Sequence, residues 1–293
     1  MSSARTLVLT SLAMAAFAGN SLLCRLALKH TSIDASSFTA IRLLSGAMVL
    51  WLVTRSSRGT EPGAGNWLSA LALFSYAAGF SFAYVSLPAA SGALLLFGAV
   101  QATMIGYGLW RGERFKRLQL IGLMLALSGL VGLLLPGLSS PPLFGSLLML
   151  GAGLAWGIYS LRGKGAGDPT RVTAGNFLRA APLAVVLSLL MLQGQSLNML
   201  EGLKALDTAG LWYAVASGAL TSGIGYAIWY AVLPALKATN AATVQLSVPV
   251  IAALGGIVFL GEPITWRLAL ASLAILGGIA LVILEKRVTG RAP

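Results

Sequence analysis

The chain has 293 residues, of which 57% are apolar and 10% charged. Soluble domains are roughly 45–50% apolar and about 25% charged, so water would not carry this surface and a bilayer would. The formal charge of +12 does not point to nucleic acid, because Lys and Arg sit singly or in short clusters between apolar runs rather than on one wet face beside aromatic platforms.

Ten apolar runs follow one another, at 6–28, 34–54, 66–87, 91–110, 118–135, 143–161, 172–192, 210–233, 239–259 and 267–284. Each is near the roughly 20 residues that cross a hydrocarbon core. Arg5 and the Ala16-Phe17-Ala18 triplet give the first run a signal-peptide look, but it reads as a retained span because cleavage would remove the counterpart of the sixth. Asp34, Asn66, Ser91, Asp168 and Asn240 each stand just before a run, where a short polar side chain caps free helix amides. Between 193 and 209, Met199, Leu200, Leu203 and Leu206 have helical spacing and read as an amphipathic helix on the outer surface. Fourteen of the twenty Lys and Arg fall in alternate loops with the termini, and only Lys29, Lys204 and Arg267 fall in the others. That imbalance places both termini in the cytoplasm.

The chain repeats itself. Gly79–Ala89 reads GFSFAYVSLPA and Gly225–Ala235 reads GYAIWYAVLPA, 146 residues apart. Further on, RGERFKRLQLIGLMLALSGL at 111–130 answers LGEPITWRLALASLAILGGI at 260–279, with Gly112-Glu113 matching Gly261-Glu262. Arg42 answers Arg179. The expected organisation is an all-α integral membrane protein of ten transmembrane helices, with residues 1–137 and 138–293 as two five-helix repeats around a central cavity. Five spans is an odd number, so the copies are inverted, a carrier signature with its site near the midplane.

No enzyme constellation is present. His30 is the one histidine, Cys24 the one cysteine, and there is no metal-ligand spacing or nucleophile elbow. The reading is of no catalytic residue, no metal and no cofactor. All eight acids lie at run edges or in loops, which favours a facilitator over a carrier with a mid-membrane proton relay. Candidate substrate-binding residues are the aromatics Tyr76, Phe80 and Tyr84 of the third run, Trp156 and Tyr159 of the sixth, and Tyr226 and Tyr230 of the eighth. Asn20, Gln101 and Ser247 are the polar candidates. Arg42 and Arg179 have two readings, a carboxylate or phosphate anchor and a structural arginine bonding helix-end carbonyls or reaching outward, and the second is preferred because a lone buried charge is costly.

The Gly-Glu turns followed by Gly-containing spans, with Trp156-Gly157 and Pro249, resemble the drug/metabolite transporter superfamily, EamA type, over nearly the whole chain. Residues 94–115 are similar to the aromatic amino-acid exporters of that superfamily. The resemblance implies a broad-specificity exporter of neutral amino acids, aromatic ones included, in the bacterial inner membrane, and a monomer suffices for it. It departs at Phe17-Ala18-Gly19, where Trp-Gly is the pattern, and at Val100, where the second copy has Pro249. A carrier of phosphorylated or nucleotide-linked metabolites, and a scaffold with no transport cycle, are the other readings.

Overall fold

The computed structural model describes residues 3–56, 64–112, 117–135, 137, 140–163, 168–194, 207–232 and 244–289. Among these residues every regular element is helical. In chain order they are α1 (Ser3–His30), α2 (Ala35–Ser56), α3 (Trp67–Tyr84), α4 (Ala89–Trp110), α5 (Arg117–Leu134), α6 (Leu143–Arg162) and α7 (Pro169–Gly194). A continuous helical run follows as α8 (Thr208–Ala216), the π-helical stretch π1 (Ser217–Ile224) and α9 (Gly225–Val232). The last two are α10 (Ser247–Leu260) and α11 (Trp266–Thr289).

Seven helices, α1 to α7, are long and apolar enough to cross a membrane. Their outer faces carry apolar side chains that water would not tolerate, and large aromatics crowd the helix ends: Trp67, Trp110, Phe144 and Trp266 are all exposed at the first or last turn of a helix. Such rings sit at headgroup level in a bilayer. The protein is a multi-span membrane protein.

Local chemistry sets most helix starts. The Asp34 carboxylate accepts from the backbone amides of Ser36 at 2.8 Å and Ser37 at 3.0 Å. Asn66 accepts from the amide of Ser69 at 2.9 Å, and Asp168 from those of Thr170 at 2.8 Å and Arg171 at 3.2 Å. Ser91 does not cap α4, which begins two residues earlier at Ala89. The Ala89 amide donates instead to Glu262 Oε2 at 2.7 Å, so a carboxylate from the far end of the sequence does the capping. Gly261 ends α10 in the left-handed region at φ 61°, where a glycine carries no steric penalty, and this turn aims Glu262 back at α4. The ninth run, expected from 239, is helical from Ser247 within the described residues. Asn240, Glu113 and the 199–206 segment lie outside them.

Helices pack in pairs: α2 along α7, α3 along α6, α4 against α6 and α10, and α5 along α11, while α1 runs against α8, π1, α9 and α10. With lipid outside, close approach of backbones does the work that hydrophobic burial does in water. Gly153 and Gly157 let α6 touch α4, and Gly129 and Gly278 let α5 touch α11. Between two of the described helices the tightest such approach is π1 on α2: a Cβ on Gly218 would lie 2.1 Å from the Arg42 carbonyl oxygen and 2.0 Å from Ser45 Oγ.

Candidate functional site

At the centre, α1, α3, α4, α6 and α9 surround a void of about 20 Å³. Rings make most of its wall: Phe17, Tyr76, Phe80, Phe97, Trp156 and Tyr226. Leu96 and Asn20 complete it. The rings hold one another. Trp156 sits 4.8 Å from Tyr76 and 5.0 Å from Tyr226, bridging α3 and α9. Phe17 meets Tyr226 edge-on at 5.8 Å. One water needs about 10–15 Å³, so the walls are nearly closed upon each other.

Polar groups gather on one side of the void. The Asn20 side-chain oxygen accepts from Ser217 Oγ at 2.7 Å and Thr221 Oγ1 at 3.3 Å, and its amide nitrogen donates to the Tyr76 hydroxyl at 3.3 Å. Arg42 donates through Nε to Ser222 Oγ at 3.1 Å and through Nη2 to the Tyr76 hydroxyl at 3.1 Å. Its guanidinium lies 5.2 Å from the centre of the Tyr76 ring and 4.9 Å from that of Phe80. Winding 217–224 as a π-helix is what turns Ser217, Thr221 and Ser222 toward α1 and α2 together.

Asn20, Tyr76, Phe80, Trp156 and Tyr226, five of the sequence candidates, thus line one void. Five other candidates stand off the void. Tyr84 is fully buried one turn beyond Phe80, its hydroxyl donating to the Ala89 carbonyl at 3.3 Å. Tyr159 packs on Trp156 at 5.4 Å, and Thr173, Asn176 and Tyr230 surround its hydroxyl. Tyr159 and Tyr230 thus sit toward the end opposite Tyr84, because Arg162 of the same α6 turn reaches Asn66 and Ser69 at the start of α3. Gln101 is buried on α4 outside the wall. Ser247 spends its hydroxyl on the Val244 carbonyl at 2.6 Å, back along its own chain, and does not reach the centre.

The ends of the cluster are closed differently. Beyond Tyr84, Arg25 and Glu262 form an ion pair at 3.1 Å. Arg25 also donates to the carbonyls of Tyr84 at 2.9 Å and Val85 at 3.0 Å, and Lys29 to that of Leu260 at 3.2 Å. With Glu262 on the Ala89 amide, this latch joins α1, α3, α4 and the α10–α11 turn. Outside it opens a vestibule of about 340 Å³, which shares no lining residue with the ringed void.

A model of the EamA-like transporter family matches residues 143–284. "Uncharacterized protein PA1977" of Pseudomonas aeruginosa is 58% identical, over 98% of this chain and 97% of its own. The chain belongs to the EamA-like transporter family. An "Uncharacterized transporter" of Archaeoglobus fulgidus is 25% identical over 94% of this chain and 96% of its own. "Uncharacterized transporter YoaV" of Bacillus subtilis is 27% identical over 57% of each. A solved structure, "Crystal structure of protein", has the same fold, with a TM-score of 0.66 at 20% identity over 99% of both chains.

In this EamA-like chain the sequence reading passed over Phe17, Phe97, Ser217, Thr221 and Ser222. The signal for the hydroxyls was the run SGALTSG inside an otherwise apolar span. For Arg42 the reading is corrected: it neither bonds a carbonyl nor reaches outward but lies 1% exposed behind Tyr76 and Phe80. Its sequence counterpart Arg179 does act as expected, bonding the carbonyls of Gly175 and Ala64.

Proposed function

We propose that this transporter exports neutral amino acids, aromatic ones included, by alternately exposing the ringed void to either side of the bacterial inner membrane. The void carries the reading. Ring faces suit apolar and aromatic side chains, and the few fixed polar groups in the wall favour breadth over a single substrate. Pockets that enclose small ligands run to roughly 300 Å³ and more, so a wall closed to 20 Å³ belongs to an occluded arrangement that must open to load.

The inverted organisation, with ten spans divided at residues 137 and 138, is part of the same proposal. Exchange α1–α5 for α6, α7, the α8–π1–α9 run, α10 and α11, and each major packing has a counterpart: α3 on α6 answers the 208–232 run on α1, and α4 on α6 answers α10 on α1. The α2–α7, α4–α10 and α5–α11 pairs map onto themselves. The duplicated motif supports it too, since Phe80 and Tyr226 both face the void while Tyr84 and Tyr230 lie toward opposite ends. Alternate rocking of the two halves would then open the latch end or the Tyr159 end. Both termini would be cytoplasmic, and a single chain suffices.

The test is flux of labelled leucine, methionine and phenylalanine from proteoliposomes holding the full chain. Replacing Trp156 with Ala removes the ring that bridges α3 and α9 and should raise KM by roughly tenfold, the scale of one buried ring contact. Unaltered amino-acid flux in Trp156→Ala and Tyr76→Ala would refute the site. Inhibition by phosphate esters in place of amino acids would favour the phosphorylated-metabolite reading.

A further inference from the structure

Arg42 is the most deeply buried charged side chain among the described residues, at 1% exposed. It lies at the eighth position of α2, two turns from the nearer end. No described carboxylate meets it. Glu262 is paired with Arg25, Asp168 with Arg171, and Asp34 caps a helix. Its partners are all neutral: the hydroxyls of Ser222 and Tyr76, and the faces of Tyr76 and Phe80. Its Nη1 is buried with no hydrogen-bond partner. A guanidinium cannot shed its proton to relieve such a setting, as a lysine can. The centre of the protein therefore holds a permanent positive charge that the described protein groups do not balance.

That charge meets the void at one residue. Arg42 is not in the void wall, but Tyr76 is, and the Tyr76 hydroxyl accepts from both Arg42 and Asn20. With its acceptor positions filled by an amide and a cation, the Tyr76 hydroxyl turns its own proton toward the Tyr226 hydroxyl beside it, a second wall group that can pass the hydrogen bond on to the void. An anionic oxygen in the void is the natural acceptor. Arg179, related by the repeat, is spent on the Ala64 carbonyl of a loop and the Gly175 carbonyl of its own helix, so the function belongs to one copy alone.

Taking the void as the substrate site, we propose that Arg42 is the counter-charge for a carboxylate on the transported molecule, acting through the Tyr76 hydroxyl. The site then selects small apolar carboxylates and rejects their amides, whatever the amine does.

The test uses the full chain in lipid nanodiscs for binding and in proteoliposomes for flux, with three probes of one ring size. They are L-phenylalanine, its primary amide, and phenylpyruvate, which keeps the carboxylate and lacks the amine. The wild type should hold both carboxylates at least about 30-fold more tightly than the amide, the scale of a desolvated charge contact. Arg42→Gln should cut that preference to within about threefold. Arg42→Lys should keep its sign. Tyr76→Phe, which preserves the ring and the packing, should lose the preference without removing the charge. Equal binding of phenylalanine and its amide by the wild type, or an unchanged ratio in Arg42→Gln and Tyr76→Phe, overturns the assignment of Arg42 and leaves amino-acid export standing. Binding of phenylpyruvate without phenylalanine overturns amino-acid export and supports Arg42.

Discussion

Glu262→Gln separates the charge of the latch from its shape. The amide oxygen of Gln still accepts from Ala89, which Glu262 meets at 2.7 Å, so the start of α4 stays capped. What goes is the attraction to Arg25 at 3.1 Å, between side chains only 12% and 9% exposed. At an effective dielectric of 20, Coulomb's law puts that attraction at about 5 kcal/mol. Opening the latch returns both ions to water, which takes back most of it, and hydrogen bonds to charged groups net roughly 1.5–3 kcal/mol. The closed state should lose that much against the open one, a shift of roughly tenfold to a hundredfold in population. Cys24 is the reporter. It is the single cysteine, fully buried, and lies on α1 between Asn20 at the void and Arg25 at the latch. Labelling by a membrane-impermeant maleimide, applied from the vestibule side, should accelerate at least about tenfold in Glu262→Gln. Arg25→Gln should match it, and the double variant should add little, because both changes break one contact. Unchanged labelling in both single variants, with the chain folded and inserted, would refute the latch.

Three further outcomes follow from the packing and the caps. Gly218→Ala forces a Cβ into the Arg42 carbonyl and Ser45, so thermal unfolding in detergent should show a loss of roughly 1–3 kcal/mol. Ser247→Ala should leave transport kinetics within about twofold of wild type while Asn20→Ala should not, since the Ser247 hydroxyl bonds the Val244 carbonyl just before its own helix and Asn20 joins α1 to α3 and π1. Burial pulls the Asp34 carboxyl upward, but hydrogen bonds from Ser36 and Ser37 outweigh it and hold the carboxyl below the usual value. Its depressed value means that its stabilisation is present above the ordinary Asp range and is lost as pH falls through the folded value. Asp34→Ala should therefore cost about 1 kcal/mol at neutral pH, and the gap to wild type should close in strong acid.

What the sequence made legible was whatever acts over a few residues or recurs. Asp34, Asn66 and Asp168 announce helix starts because their amide partners lie two or three positions on. The aromatic motif announced the void because it occurs twice. Ser91 misled because α4 is capped from 173 residues away, which no local rule sees. The π1 hydroxyls were hidden since a π turn and an α turn draw on the same residues and differ in which side chains end up abreast. Ser247 and Asn20 looked alike as polar residues in apolar runs, and only the choice of partner, the adjoining stretch of chain or neighbouring helices, tells them apart. Arg42 was misjudged on energetic grounds: a lone interior charge is disfavoured, and only the assembled fold supplies the rings and hydroxyls that make it tolerable.

The wide winding of 217–224 also bears on how this protein can change over time. Most spans could gain or lose a residue at a loop and keep their faces. Here, relaxing the eight residues to ordinary winding without removing any would swivel everything after them by on the order of 100°. Tyr226 and Trp229 would swing from the centre toward the lipid, and Ser222 would leave Arg42 behind. The wide winding and the length of this one segment are thus tied to each other by geometry, while its side chains remain free to vary wherever they are small enough to pass α2.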